Sequence, residues 1–178
     1  PERAEPARKR VLIFSPHPDD DIISMGGTFQ RLVDQGHEVH VAYQTSGNIA
    51  VADDEALRFI DFVVDFNKEF DIDSPKANKI FLDAKEFLKH TKDSEIDTPE
   101  IRHVKGTLRR GEAKATCRFV GIPTSQAHFL NLPFYETGTV QKNPIGEADI
   151  KIVEDIIEQI KPHQIYAAGD FADPHGTH

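Results

Sequence analysis

The segment from Arg10 to Thr45, RVLIFSPHPDDDIISMGGTFQRLVDQGHEVHVAYQT, constrains the fold more than any other part of the chain. Its apolar run VLIF, stopped by proline, reads as a buried strand. Ile22, Met25, Phe29, Leu32 and Val33 then recur at helical spacing as far as Gln35, with Gly36 in the C-cap position. HEVHVAYQT alternates Val39, Val41 and Tyr43, the pattern of a second strand. Strand, helix and strand within about 35 residues, with only a tight Gly turn before the last, predict parallel strands joined by a right-handed crossover. The expected class is α/β, a three-layer sandwich with a mostly parallel sheet and a helical insertion.

The insertion is expected at about 52–105. Asp53 or Asp54 is placed to cap a helix carrying Leu57, Ile60, Val64 and Phe70, and a second helix is expected over Lys76 to His90. Thr98-Pro99 reads as a cap with proline in the first turn, followed by apolar residues from Ile101 to Phe119 and a stop at Gly121. Gly106 and Gly111 each weaken that helix by about 1 kcal/mol relative to Ala, which leaves room for a bend or break near them. Ala127 to Leu132 and Gln164 to Ala168 read as strands around a helix over Ala148 to Lys161.

At 178 residues with 38% hydrophobic content, one domain with its own core is expected over 11–178, preceded by a charged, proline-containing linker or tail at 1–10. A formal charge of -9 argues against binding nucleic acid or an anionic membrane, because phosphate groups are held by clustered Lys and Arg. No apolar run reaches the length of a membrane span. The single cysteine, Cys117, fits a reducing compartment and reads as a packing residue, which makes the cytoplasm the expected location. The start at Pro1 and the stop at His178 suggest part of something longer.

Ligands of open parallel sheets sit beyond the carboxyl ends of the strands. Polar clusters fall at three such ends: His17 to Asp21, Thr45 to Asn48, and Asp170 to His178. A histidine and a carboxylate on one loop with a histidine from another form a plausible three-ligand site for Zn2+ or another divalent metal, with a position left for water. His17, Asp20 and His178 fit that description, leaving Asp19 to take a proton from the water and His175 either to stabilise a developing oxyanion or to act as the acid for the leaving group. Three aspartates in a row, taken alone, are explained by a helix N-terminus, and Asp21 is assigned to capping. Gly26-Gly27 lacks the spacing of a dinucleotide fingerprint and is ascribed to close approach of helix and sheet.

SPHPDDDIISMGGT with the late HGTH resembles the LmbE-like or PIG-L family of zinc-dependent N-acetylglucosaminyl deacetylases. The resemblance is good over the first 50 residues, moderate over Arg109 to Ile122 and the last strand and loop, and poor over the insertion. It implies a Rossmann-like domain in which His17, Asp20 and His178 bind zinc, Asp19 is the general base and His175 stabilises the tetrahedral intermediate. The implied reaction is hydrolysis of the acetamide of an amino-sugar substrate. Asp21 stands where the family usually has Glu, and Thr177 where many members have Asp. Fusion to a glucosamine-6-phosphate deaminase-like domain is a further implication. Two other readings are a metal-dependent phosphoesterase, which would more often need two metals, and a non-catalytic sugar-sensing or regulatory domain. Arg109 and Arg110 are placed either to hold an anionic group or to lie on a helix surface.

Overall fold

The computed structural model describes residues 7–90, 96–169, 172–173 and 177. Four strands, β1 (Arg10–Ser15), β2 (Glu38–Tyr43), β3 (Ala127–Phe129) and β4 (Gln164–Tyr166), form one sheet in the order β3-β2-β1-β4. Every pairing is parallel, with Val11 opposite both Val39 and Gln164. The sheet expected to be mostly parallel is thus all parallel among the described strands. β3 and β4 are shorter than predicted, although Leu130 and Leu132 still donate backbone hydrogen bonds to the carbonyls of Tyr43 and Gln44.

Period-two alternation sorts the strand residues between two faces. Val11, Ile13, Val39, Val41 and Tyr43 pack on one side against Phe29 and Leu32 of α2 (Gly26–Asp34) and Ala113, Cys117 and Val120 of α5 (Pro99–Val120). Leu12, Phe14 and Ala42 pack on the other against Ile156 and Ile160 of α6 (Glu147–Ile160). This is the three-layer α/β architecture of a Rossmann-like fold.

The helix expected from Ile22 to Gln35 is broken in two. A four-residue turn, α1 (Asp20–Ile23), is followed by α2, and a Cβ on Gly26 would fall 2.8 Å from Ile22 Cδ1. Gly26 therefore makes room for Ile22 where the helix restarts, and a Cβ on Gly27 would meet nothing within 4 Å, so the pair does not serve contact with the sheet. Gly36 does end α2, with φ +75° and its N–H donated to Val33 O.

α3 (Asp53–Glu69), α4 (Pro75–His90) and the first turns of α5 enclose a separate cluster of Ala56, Ile60, Ala84, Leu88 and Ile101. Neither Asp53 nor Asp54 caps α3; its N-cap residue is Ala52, and Asp53 instead accepts a 2.7 Å hydrogen bond from the buried Lys105. Thr98 caps α5 as expected, and the helix runs unbroken through Gly106 and Gly111 to Gly121. No helix among the described residues is long and apolar enough to cross a membrane.

Candidate active site

The strand order reverses between β1 and β4, since the chain steps from β1 to β2 on one side and returns through α6 to β4 on the other. The crevice beyond the carboxyl ends of such neighbours is where a doubly wound sheet accommodates a ligand. His17 to Asp21 lead out of β1 into this crevice.

The loop is shaped by its first polar side chain. Ser15 Oγ donates to His17 O and accepts the Asp21 N–H at 3.0 Å, folding the chain back over the strand end. Asp20 Oδ2 accepts the His17 backbone N–H at 2.8 Å and lies 3.2 Å from His17 Nδ1. Both side chains are only partly exposed, His17 at 21% and Asp20 at 16%. Zn2+ bonded at about 2.0–2.2 Å in tetrahedral geometry holds neighbouring donors roughly 3.3 Å apart, so this imidazole and carboxylate have the chemistry and spacing to share a cation.

Asp19 points elsewhere. Its Oδ2 lies 2.9 Å from Arg109 Nη2 on α5, and Arg109 also binds Glu112 at 2.6 Å. Arg109 is thereby neither a free anion holder nor a surface residue: its side chain is 14% exposed and fixes the aspartate proposed as base. Gly47, at φ +65°, permits the β2 loop to close over this pair, because a Cβ there would sit 2.9 Å from Pro18 Cδ and 3.1 Å from Arg109 Nε.

Asp21 does not cap a helix. It is 1% exposed, Tyr43 Oη donates to its Oδ2 at 2.9 Å, and its Oδ1 is buried with no partner among the described residues. Burial pushes its carboxyl above the ordinary range despite the Tyr43 bond. Cys117 Sγ lies 3.6 Å from the same Tyr43 Oη, and burial raises the thiol as well. The cysteine is a packing residue, as expected.

The second polar cluster comes to the site with unforeseen partners from the loop after β3. Glu136 accepts from Ser46 N at 3.1 Å and from Asn48 Nδ2 at 3.1 Å, while Thr45 Oγ1 donates to Pro16 O at 2.8 Å. Tyr135 sets its ring edge-on to His17 with centroids 5.7 Å apart. Burial, then the charge of Glu136, pushes the Tyr135 phenol up to about 12, so it stays protonated at neutral pH. Glu136 and Tyr135 lie in an aperiodic loop, where only the run FYE, aromatic and acidic after a strand, could have signalled them.

In the third cluster His175 and His178 lie outside the described residues. Thr177 between them is buried; Lys142 donates to its Oγ1, and Lys142 Nζ sits 5.6 Å above the Tyr135 ring. Thr177 is thus linked through Lys142 and Tyr135 to His17. Among the described residues there is no group of three or more metal-ligating side chains; the third ligand expected from the sequence is His178.

Over its full length the chain is 56% identical to a glucosamine-6-phosphate deaminase-like protein of Bacteroides thetaiotaomicron, of which it spans 27%. A stretch of 47 residues, 26% of the chain, is 43% identical to the diacetylchitobiose deacetylase of Thermococcus kodakarensis, covering 18% of that protein. Residues 12–178 match the family described as PIG-L, GlcNAc-PI de-N-acetylase, and with nearly the whole chain matched it belongs to that family.

Proposed function

We propose that residues 11–178 form a metal-dependent deacetylase domain that hydrolyses the acetamide of an N-acetylglucosamine-containing substrate, releasing acetate and a free amine. The observation that carries this reading is the 3.2 Å approach of His17 Nδ1 to Asp20 Oδ2 beside an Asp19 that Arg109 holds separately. Two neighbouring carboxylates are thereby given different tasks.

His17, Asp20 and His178 would hold the metal, with Zn2+ the expected ion for such a donor set. When bound, it polarises the amide carbonyl and makes water acidic. Asp19 accepts the proton of the attacking water and returns it to the departing nitrogen. Arg109 keeps that carboxylate oriented, and His175 donates to the developing oxyanion. The Tyr135 ring limits the orientation of His17 from its edge.

Membership of a family described by N-acetylglucosamine deacetylation, together with local similarity to a deacetylase of an acetylated chitobiose, supports the amino-sugar substrate. Similarity over the whole chain to about a quarter of a protein named for deaminase likeness supports fusion to a glucosamine-6-phosphate deaminase-like domain, with residues 1–10 in the joining segment. The cytoplasm is the proposed location.

Acetate release across a panel of N-acetylglucosamine derivatives, combined with elemental analysis, tests the reading. One metal per chain, acetate from at least one derivative, and loss of acetate with metal retained in Asp19→Asn are expected. Two metals with phosphate-ester cleavage would favour the phosphoesterase; saturable sugar binding with no turnover would favour the sensor.

A further inference from the structure

Beside the site, a cavity of about 210 Å3 opens between α5 and the loops after β2 and β3, lined by Ser46, Arg102, His103, Arg110, Asn131 and Glu136. Arg102, Gly106 and Arg110 recur every four residues, so they share one face of α5. Arg109, three residues beyond Gly106 on the same side of the helix, is committed to Asp19 and Glu112.

Arg102 and Arg110 are not so committed. Among the described residues no carboxylate lies within the 4.0 Å ion-pair distance of either guanidinium, and Nε of each is buried without a hydrogen-bond partner. Arg102 donates through Nη1 to the Glu136 carbonyl at 3.0 Å, and Arg110 lies 5.5 Å above the Phe129 ring. The Glu136 carboxylate, also in the lining, forms an ion pair with neither and accepts from Ser46 and Asn48. Two arginines that line one cavity with no carboxylate partner among the described residues mark a place for an acceptor-rich anion.

We infer that this cavity is a phosphoryl-binding subsite in which Arg102 and Arg110 clamp a phosphomonoester or inorganic phosphate. A phosphate monoester carries close to two negative charges and three acceptor oxygens, matching two guanidiniums better than a single carboxylate does. Ser46 lines the cavity, and its neighbour Gly47 abuts Pro18 and Arg109, so a ligand anchored here lies one loop away from Asp19. As a substrate anchor the subsite rests on the deacetylase reading; as a phosphate site it does not.

Calorimetric titration of the protein with inorganic phosphate at low ionic strength is the test. The parent binds saturably, and Arg110→Gln weakens binding at least tenfold while its melting temperature shows a folded chain; Arg110→Lys is intermediate. Binding that is absent in the parent, or unchanged in folded Arg110→Gln, overturns the inference. N-acetylglucosamine 6-phosphate binding at least tenfold tighter than inorganic phosphate identifies a sugar-borne phosphoryl group, whereas equal affinities identify free phosphate as the occupant. In the first case Arg110→Gln raises KM for the phosphorylated sugar alone. Phosphate binding without acetate release from any sugar removes the reaction and leaves the subsite standing.

Discussion

Arg109 grips Asp19 across 2.9 Å, tying the long helix α5 to the loop that leaves the first strand. Asp20, one residue further along that loop, turns back to His17 instead. Opposed partners keep two adjacent carboxylates apart in orientation.

The first prediction follows from this division. Arg109→Gln releases Asp19 and is expected to reduce acetate turnover by roughly 10²-fold, as displacement of a reacting group by about 1 Å can. The loss falls on kcat, with metal content unchanged, because His17 and Asp20 do not depend on the arginine. Glu112→Gln removes only the outer contact and costs much less. Steady-state kinetics with elemental analysis decides the matter; equal turnover in Arg109→Gln and the parent would remove Arg109 from any positioning role.

The buried Asp21 makes stability depend on pH. Its carboxyl is raised above 3.8 by burial, so the folded chain binds this proton more tightly than the unfolded chain does. The stability contributed by this one carboxyl is therefore full below the unfolded value and declines as pH rises through the window above it. Urea denaturation at stepped pH should show the parent losing stability relative to Asp21→Asn across this window. Tyr43→Phe, which strips the carboxylate of its buried donor, is expected to cost about 1–3 kcal/mol at neutral pH. A difference between parent and Asp21→Asn that stays constant with pH would count against the assignment.

Two glycines of α5 should respond differently to a methyl group. Gly111 has open space around its missing side chain, so Gly111→Ala is expected to stabilise by about 1 kcal/mol through helix propensity. Gly106 faces Ser46, whose Cβ would lie 3.3 Å from a new methyl, so Gly106→Ala must displace the β2 loop and forfeits that gain. Thermal melts of both variants check the contrast, and equal stabilisation would show that the Ser46 contact yields freely.

Lys105 bridges Asp53 at 2.7 Å and Asp97 at 2.8 Å from a buried position. Its two hydrogen-bonded carboxylates outweigh burial, which lowers it, and the net shift raises the ammonium above 10.5. The stabilisation is full below the unfolded value and lost as pH climbs through the folded one. Lys105→Met is expected to cost about 1–3 kcal/mol at pH 7, with the difference from the parent shrinking in strongly alkaline buffer. Denaturation at pH 7 and above 10.5 measures both.

The βαβ start was readable because its period changes from two to 3.6 and back, with Gly36 as punctuation. Near the site, legibility ended where residues act through distant partners. Asp19, Asp20 and Asp21 are chemically identical neighbours, and only the three-dimensional directions of successive side chains assign one to Arg109, one to His17 and one to Tyr43. Glu136 and Tyr135 sit in a loop without periodicity, and their roles depend on contacts with residues about 90 or more positions earlier. Gly106 was read as a weak point of its helix because propensity is local, whereas its use is a contact with a loop 60 residues away in sequence.

α5 spans 22 residues, about 33 Å, contributing Ile101 to the cluster of α3 and α4 and Ala113, Cys117 and Val120 to the sheet core. One rigid rod is thus common property of two cores, and it carries Arg109 between them. The helical segment and the sheet layer are consequently not interchangeable parts: a chimera joined at residue 105 would cut the rod that registers one against the other. Recombination among relatives that preserves activity must inherit α5 whole.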